Sequence, residues 1–184
     1  GERLRPLRRC ADADGLGRPM KDRRPWLLLV SALVVLADRL SKAWVSHHIV
    51  EGDAITVIPR VFRITHVLNP GAAFSLFTES ANPALTHRLL VGFSILAAIV
   101  ILIILLRMGR RFTATAVALA LILGGTIGNL WDRLRYGMVT DFLEVHIVHY
   151  HWPDFNVADS CIVIGGILLV LDSLRPHHQN PQSS

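Results

Sequence analysis

Leu89–Leu106 runs for eighteen residues and Phe112–Trp131 for twenty without one charged side chain. No other feature restricts the fold as much. A helix needs about 20 mostly apolar residues to cross ~30 Å of hydrocarbon, so both stretches read as transmembrane helices. Two further runs qualify if their polar residues face protein or sit near an interface. Trp26–Val45 is apolar except for two serines, Ser31 and Ser41, and the charged Asp38, Arg39 and Lys42, and Phe155–Leu171 carries Asp159 near its start. The whole chain is 52% apolar and only 18% charged, below the roughly 25% charged of soluble domains. Its mean hydropathy is +0.44. A four-span membrane protein of one domain is the expectation. The first span has the basic approach of a cleaved leader, but Asp38-Arg39 follow it in place of a small-residue cleavage site, so it reads as a retained anchor.

Basic residues orient the spans. Arg3, Arg5, Arg8, Arg9, Arg18, Lys21, Arg23 and Arg24 precede the first, and Arg107, Arg110 and Arg111 fill the tight link between the second and third. Four crossings put both places on one side, so both termini are expected in the cytoplasm. The formal charge of +5 comes mostly from these segments. It serves topology and anionic headgroups, and a nucleic-acid partner is not expected.

The expected layout is a disordered basic tail over 1–24, a membrane domain over 25–174 and a second tail over 175–184. Its spans lie at about 26–46, 88–106, 112–131 and 156–173, with outer loops 47–87 and 132–155. In the first outer loop, Val57, Val61, Ile64, Thr65 and Val67 are β-branched, and Gly52 and Pro59 supply turns. A small extracytoplasmic sheet follows. Beyond it Phe74, Leu76 and Phe77 form an apolar patch suited to an interfacial lid. The spacings Gly124-x-x-x-Gly128 and Ser94-x-x-x-Ala98 suit close helix packing. The fold class is therefore an all-α membrane protein of four transmembrane helices with a small sheet and a lid segment.

Four polar clusters converge on the outer face. In "DRLSK", Asp38 and Lys42 are four apart on one helix face, which suggests an ion pair limiting the cost of charge within a span. "NPGAAFS" offers the Asn69 amide and a flexible Gly71. "GGTIGNLWDR" brings Asn129, Asp132 and Arg133 to the end of the third span. In "FNVADS", Asn156 can cap the fourth helix, which sets Asp159 at its third position, where the helix dipole favours a carboxylate. Asp141 lies in "VTDFLEV"; on a strand it shares the face of Val139, Leu143, Val145 and Ile147, the wrong face for a solvated acid. Spans three and four are consecutive, so Asp141 and Asp159 enter one region. Two carboxyls in a poorly hydrated site share a proton. One then activates water while the other, protonated, polarises a carbonyl, which is aspartic peptidase chemistry.

Other chemistries fit less well. His146, His149 and His151 lie close in sequence, but no His-Glu-x-x-His exists, and neither metal nor other cofactor is expected. No Gly-x-Ser-x-Gly elbow or Walker-type phosphate loop is present. A small-solute transporter or channel subunit is the alternative, with Asp38, Lys42 and Asp159 marking a path. Its weakness is that the charges cluster at one face while two spans are charge-free.

The ordered motifs "DRLSK", "NPGAAFSLF", "GGTIGNLWDR", "VTDF" and "FNVADS" together resemble those of the bacterial lipoprotein signal peptidases, or signal peptidase II. Thr126 stands where that family usually has Ala. The resemblance spans nearly all of Trp26–Leu171. It implies that Asp141 and Asp159 are catalytic and that Asp38, Lys42, Asn69, Gly71, Asn129, Asp132, Arg133, Asn156 and Ala158 support the site or hold substrate. The implied substrate is a prolipoprotein carrying diacylglycerol on its lipobox cysteine, cut just before that cysteine. The implied location is the bacterial inner membrane among its lipids, with globomycin-type cyclic peptides as inhibitors.

Overall fold

The computed structural model describes residues 22–71, 82–108, 113–147 and 150–175. Phe74, Leu76, Phe77 and His149, and nearly all of both tails, fall outside them. Among the described residues there are four helices: α1 Arg24–His48, α2 Pro83–Met108, α3 Ala114–Tyr136 and α4 Val157–Ser173. Of these, α2 and α3 are long and apolar enough by themselves to cross a membrane. α1 carries its charges mid-helix, and α4 has 17 residues.

Packing is inverted relative to a water-soluble bundle. In α2 only Leu105 is buried, while Leu89, Phe93 and Leu96 are each more than 60% exposed. Apolar side chains facing outward on every side suit a lipid solvent. A modest apolar core of Leu27, Leu105, Ala116, Leu119, Ala120 and Leu123 ties α1, α2 and α3 together.

α3 is the central helix, and its glycines set the helix spacing. A Cβ on Gly124 would lie 2.8 Å from the Ser31 carbonyl oxygen of α1; on Gly125, 2.4 Å from the Ala158 carbonyl oxygen of α4. On Gly128 it would lie 2.7 Å from Asp38 Oδ2. Small residues here let backbones approach to distances that any side chain would prevent. Thr113 caps the start of α3 by accepting from the Ala116 amide. The helix outruns its apolar stretch: Asp132 and Arg133 are helical, not the start of a loop, and Arg39 and Lys42 of α1 and the Thr140 amide satisfy Asp132 there. It stops at Gly137, whose φ of 77° is left-handed and whose amide donates to the Arg133 carbonyl. That reversal sends the chain directly into a strand.

The sheet is larger than the first loop alone predicts. β1 Ala54–Ile58 and β2 Phe62–Asn69 come from that loop, and β3 Val139–Ile147 and β4 Tyr150–Phe155 from the other. All neighbours are antiparallel, in the order β1-β2-β3-β4. The two loops meet in the β2–β3 pairing, with Val67 opposite Asp141 and Arg63 opposite Glu144. Arg63 grips Glu144 through two contacts of 2.5 Å. This grip holds the Glu144 carboxyl below its usual range. The face expected for Asp141 holds only in part. Asp141 is buried, yet Ile147, the last residue of the strand, is 55% exposed, because burial falls away toward the β3 end that leaves the helices.

Candidate active site

The buried polar centre is assembled from α1, the end of β2, the end of α3, the start of β3 and the start of α4. The spacing of Asp38 and Lys42 puts both on one face of α1, buried to 0% and 2% exposure. Lys42 Nζ lies 2.8 Å from Asp38 Oδ2, the expected ion pair. It also lies 2.8 Å from Asp132 Oδ2 and donates to Asn129 Oδ1 at 3.1 Å. The structure adds a partner to the expected pair: one ammonium holds two carboxylates on two helices. The other Asp38 oxygen accepts from the Ala158 amide at 3.0 Å, tying α1 to α4.

Sequence reasoning missed Arg39. Its guanidinium pairs with Asp132 Oδ1 and lies against the rings of Trp131 and Tyr136 at 5.9 and 5.8 Å. Its position beside Asp38 was the only local signal, and the partner lies 93 residues away.

Asn156 caps α4 as its motif predicts. Its side chain accepts from the Asp159 amide at 2.9 Å, while its own amide donates to Asp159 Oδ2 at 3.3 Å, a reciprocal capping box. The other end of the same side chain donates to Asp141 Oδ1 at 2.7 Å. A single asparagine thus bonds both aspartates singled out from the sequence. Asn129 reinforces the link, donating to Asp159 Oδ1 at 2.8 Å and accepting from Asn156 Nδ2 at 3.2 Å. On the sheet side, Asn69 Nδ2 donates to Asp141 Oδ2 at 2.9 Å. Asn69 Oδ1 accepts from the Gly71 amide at 2.8 Å, and the Gly71 carbonyl accepts from Arg133 at 3.3 Å. All the predicted site residues outside the lid belong to this one network.

The charge balance has chemical consequences. Asp38, Asp132, Asp141 and Asp159 face three cations, Arg39, Lys42 and Arg133. With every group ionised the cluster carries one net negative charge, and one proton on a carboxyl neutralises it. Asp141 is placed to take that proton. Burial, and next the Asp159 charge, push its pKa up to about 7, although Asn69, Asn156 and Lys42 pull the other way.

Asp159 is the partly open member of the pair. It lines a cavity of about 430 Å³ between α2, α3 and α4, together with Phe93, Asn129 and Arg133. It also lines a cavity of about 300 Å³ bounded by Trp152, Phe155 and Val163. Both are walled mainly by apolar side chains, which suits an acyl or apolar peptide occupant better than a hydrophilic solute.

Residues 30–175 match the family model described as signal peptidase (SPase) II. The chain is 41% identical to the lipoprotein signal peptidase of Desulforapulum autotrophicum over 144 residues, covering 78% of this chain and 88% of that protein. It is also 41% identical to the lipoprotein signal peptidase of Pseudomonas putida over 154 residues, covering 83% and 88%. Among solved structures it is similar to a bacterial membrane enzyme determined in meso at 2.3 Å, with a TM-score of 0.69 and 28% identity over 87% of this chain and 94% of the other.

Proposed function

The chain belongs to the signal peptidase II family, and from that membership we propose that Asp141 and Asp159 form the dyad with which it cuts prolipoproteins. The family establishes the general activity: a membrane aspartic peptidase that removes signal peptides from prolipoproteins. The observation that carries the dyad is Asn156, which bonds Asp141 through its amide nitrogen and Asp159 through its cap.

Asp141 holds the shared proton near neutral pH, consistent with its raised pKa of about 7. Asp159, with the more open carboxylate, takes a proton from water, which attacks the scissile carbonyl carbon. The Asp141 proton meanwhile passes to the carbonyl oxygen as its negative charge develops, making it a hydroxyl. As the tetrahedral intermediate collapses, the proton now on Asp159 passes to the leaving amine. The C–N bond breaks, no covalent enzyme intermediate forms, and Asp141 regains its proton from the collapsing hydroxyl. Asn69, Asn129 and Asn156 fix the two carboxyls; Asp38, Lys42, Asp132 and Arg39 hold α1, α3 and α4 together around them.

The substrate reading is a prolipoprotein with diacylglycerol on the cysteine after the cut, its acyl chains lying in the apolar cavities beside Asp159. Four spans with both termini cytoplasmic put this centre at the outer face of the inner membrane, where Phe74, Leu76 and Phe77 are suited to cover it. Globomycin-type cyclic peptides compete for the same site in this reading. Incubation of purified protein with a diacylglyceryl-prolipoprotein tests the mechanism. Asp141→Asn and Asp159→Asn each abolish cleavage while the protein stays folded and binds substrate. Near-normal turnover by either variant would overturn the dyad.

A further inference from the structure

The outer sheet carries a second cluster of reactive side chains that the peptidase chemistry does not use. Residues two apart on a strand share a face, so Glu144 and His146 point the same way from β3. His146 is paired across the ladder with His151 of β4, which sets the second imidazole beside the first. Both rings aim Nε2 at one atom: His146 Nε2 lies 2.8 Å and His151 Nε2 3.0 Å from Glu144 Oε1. The rings stack at 5.1 Å between centroids and 27° between planes. The three candidate ligand atoms lie within 4.8 Å of one another.

We propose that Glu144, His146 and His151 bind a divalent transition metal ion, Zn²⁺ by their chemistry, at the outer surface of the sheet. Two imidazoles and one carboxylate are a ligand set that zinc favours, with a fourth position left to water. Zinc bonds of about 2.0–2.1 Å at tetrahedral angles require ligand atoms roughly 3.3 Å apart. The two edges of 2.8 and 3.0 Å open by a few tenths of an ångström, and the two imidazole nitrogens, within 4.8 Å of each other, turn to the same spacing. The rings then adopt the Nδ1–H tautomer, freeing both Nε2 lone pairs.

The surroundings make this a built site. Glu144 is 3% exposed in its side chain, whereas His146 and His151 are 30% and 53% exposed. The carboxylate is thus anchored from below and the imidazoles are open to incoming ions. Arg63 holds both Glu144 oxygens, supplying the outer hydrogen bonds that orient a ligating carboxylate. The Arg63 charge also weakens cation binding, so a site that fills at elevated zinc fits better than a permanently loaded one. Sequence reasoning set the histidines aside because no His-Glu-x-x-His motif holds them; the strand register brings Glu144 to two of them. The ion would staple β3 to β4, between Asp141 on one strand and Asn156 beyond the other.

The test uses the full chain in detergent, purified without a polyhistidine tag. Zn²⁺ titration calorimetry gives stoichiometry, and Co²⁺ absorption reports coordination geometry. The expected result is one ion per chain, an intense tetrahedral Co²⁺ spectrum, and thermal stabilisation by added Zn²⁺. His146→Ala and His151→Ala each weaken binding by at least about tenfold and abolish the spectrum. His178→Ala in the tail leaves both unchanged. No stoichiometric binding by the wild type, or binding that survives both sheet substitutions, would overturn the proposal. Neither readout involves proteolysis, so this outcome is independent of the dyad.

Discussion

Replacing Asp141 with asparagine should change the pH dependence of stability, not merely lower it. Folding raises the Asp141 pKa from 3.8 to about 7. Between those values the folded protein keeps a proton that the unfolded chain has released. The stabilising contribution of Asp141 is therefore complete below about pH 4 and is lost as pH rises through 7. Three units at ~1.4 kcal/mol each make that loss about 4 kcal/mol. Asparagine does not titrate. Its cost is steric and polar: Asn69 and Asn156 both donate to the carboxylate, and an amide offers only one oxygen. One donor must face an NH₂ group, at about 1–3 kcal/mol. The variant is then less stable than the parent at pH 4 and more stable above pH 8, by roughly 1–3 kcal/mol each way. Thermal unfolding in detergent from pH 4 to 9 measures this, with about 2–4 °C expected per kcal/mol. The two curves should cross. A constant offset across the range would show that Asp141 is not a buried carboxyl of raised pKa, and the proton assignment would fail with it.

Other outcomes are equally specific. The pH–rate profile for prolipoprotein cleavage should be bell-shaped, its limbs belonging to the coupled pair; a single limb flat across neutrality counts against the shared proton. Lys42→Met should destabilise by about 3–5 kcal/mol, more than Asp38→Ala, because Lys42 serves both Asp38 and Asp132, whereas Lys42 retains Asp132 when Asp38 is lost. Thermal melts that rank the two variants in reverse order contradict that reading. Gly125→Ala should be worse than Gly124→Ala, since its methyl meets the Ala158 carbonyl at 2.4 Å; overpacking typically costs about 1–3 kcal/mol, and cleavage should fall in step with melting temperature. For topology, Asp53→Cys should label from outside and Met108→Cys only after permeabilisation, in a background lacking Cys10 and Cys161.

What was legible in the sequence followed from local rules. Charge-free runs give helices, an i, i+4 spacing gives Asp38 and Lys42, and a capping box gives Asn156 and Asp159. The buried Asp141 followed from a strand pattern and its apolar neighbours. What was not legible depends on pairing across long separations. Arg39 finds Asp132 and Arg63 finds Glu144 over 93 and 81 positions, and no periodicity encodes such a register. The extension of α3 past Trp131 escaped notice for the same reason: Asp132 looks like a loop acid until Lys42 and Arg39 are beside it.

The order in which the parts of this centre leave the ribosome is fixed by where they lie in the chain. Asp38, Arg39 and Lys42 arrive first; Asn129 and Asp132 follow with α3, and Asn156 and Asp159 come last with α4. An acid of α3 entering the bilayer therefore finds its cations already waiting on α1, which removes the penalty of inserting it alone. Asp141, by contrast, has no Asn156 to bind until the last helix begins. In the proposed mechanism, a partly synthesised chain that holds its ion pairs still lacks Asp159, half of the proposed pair. With that dyad, cleavage waits on the order of synthesis and begins only when the fourth helix is in place.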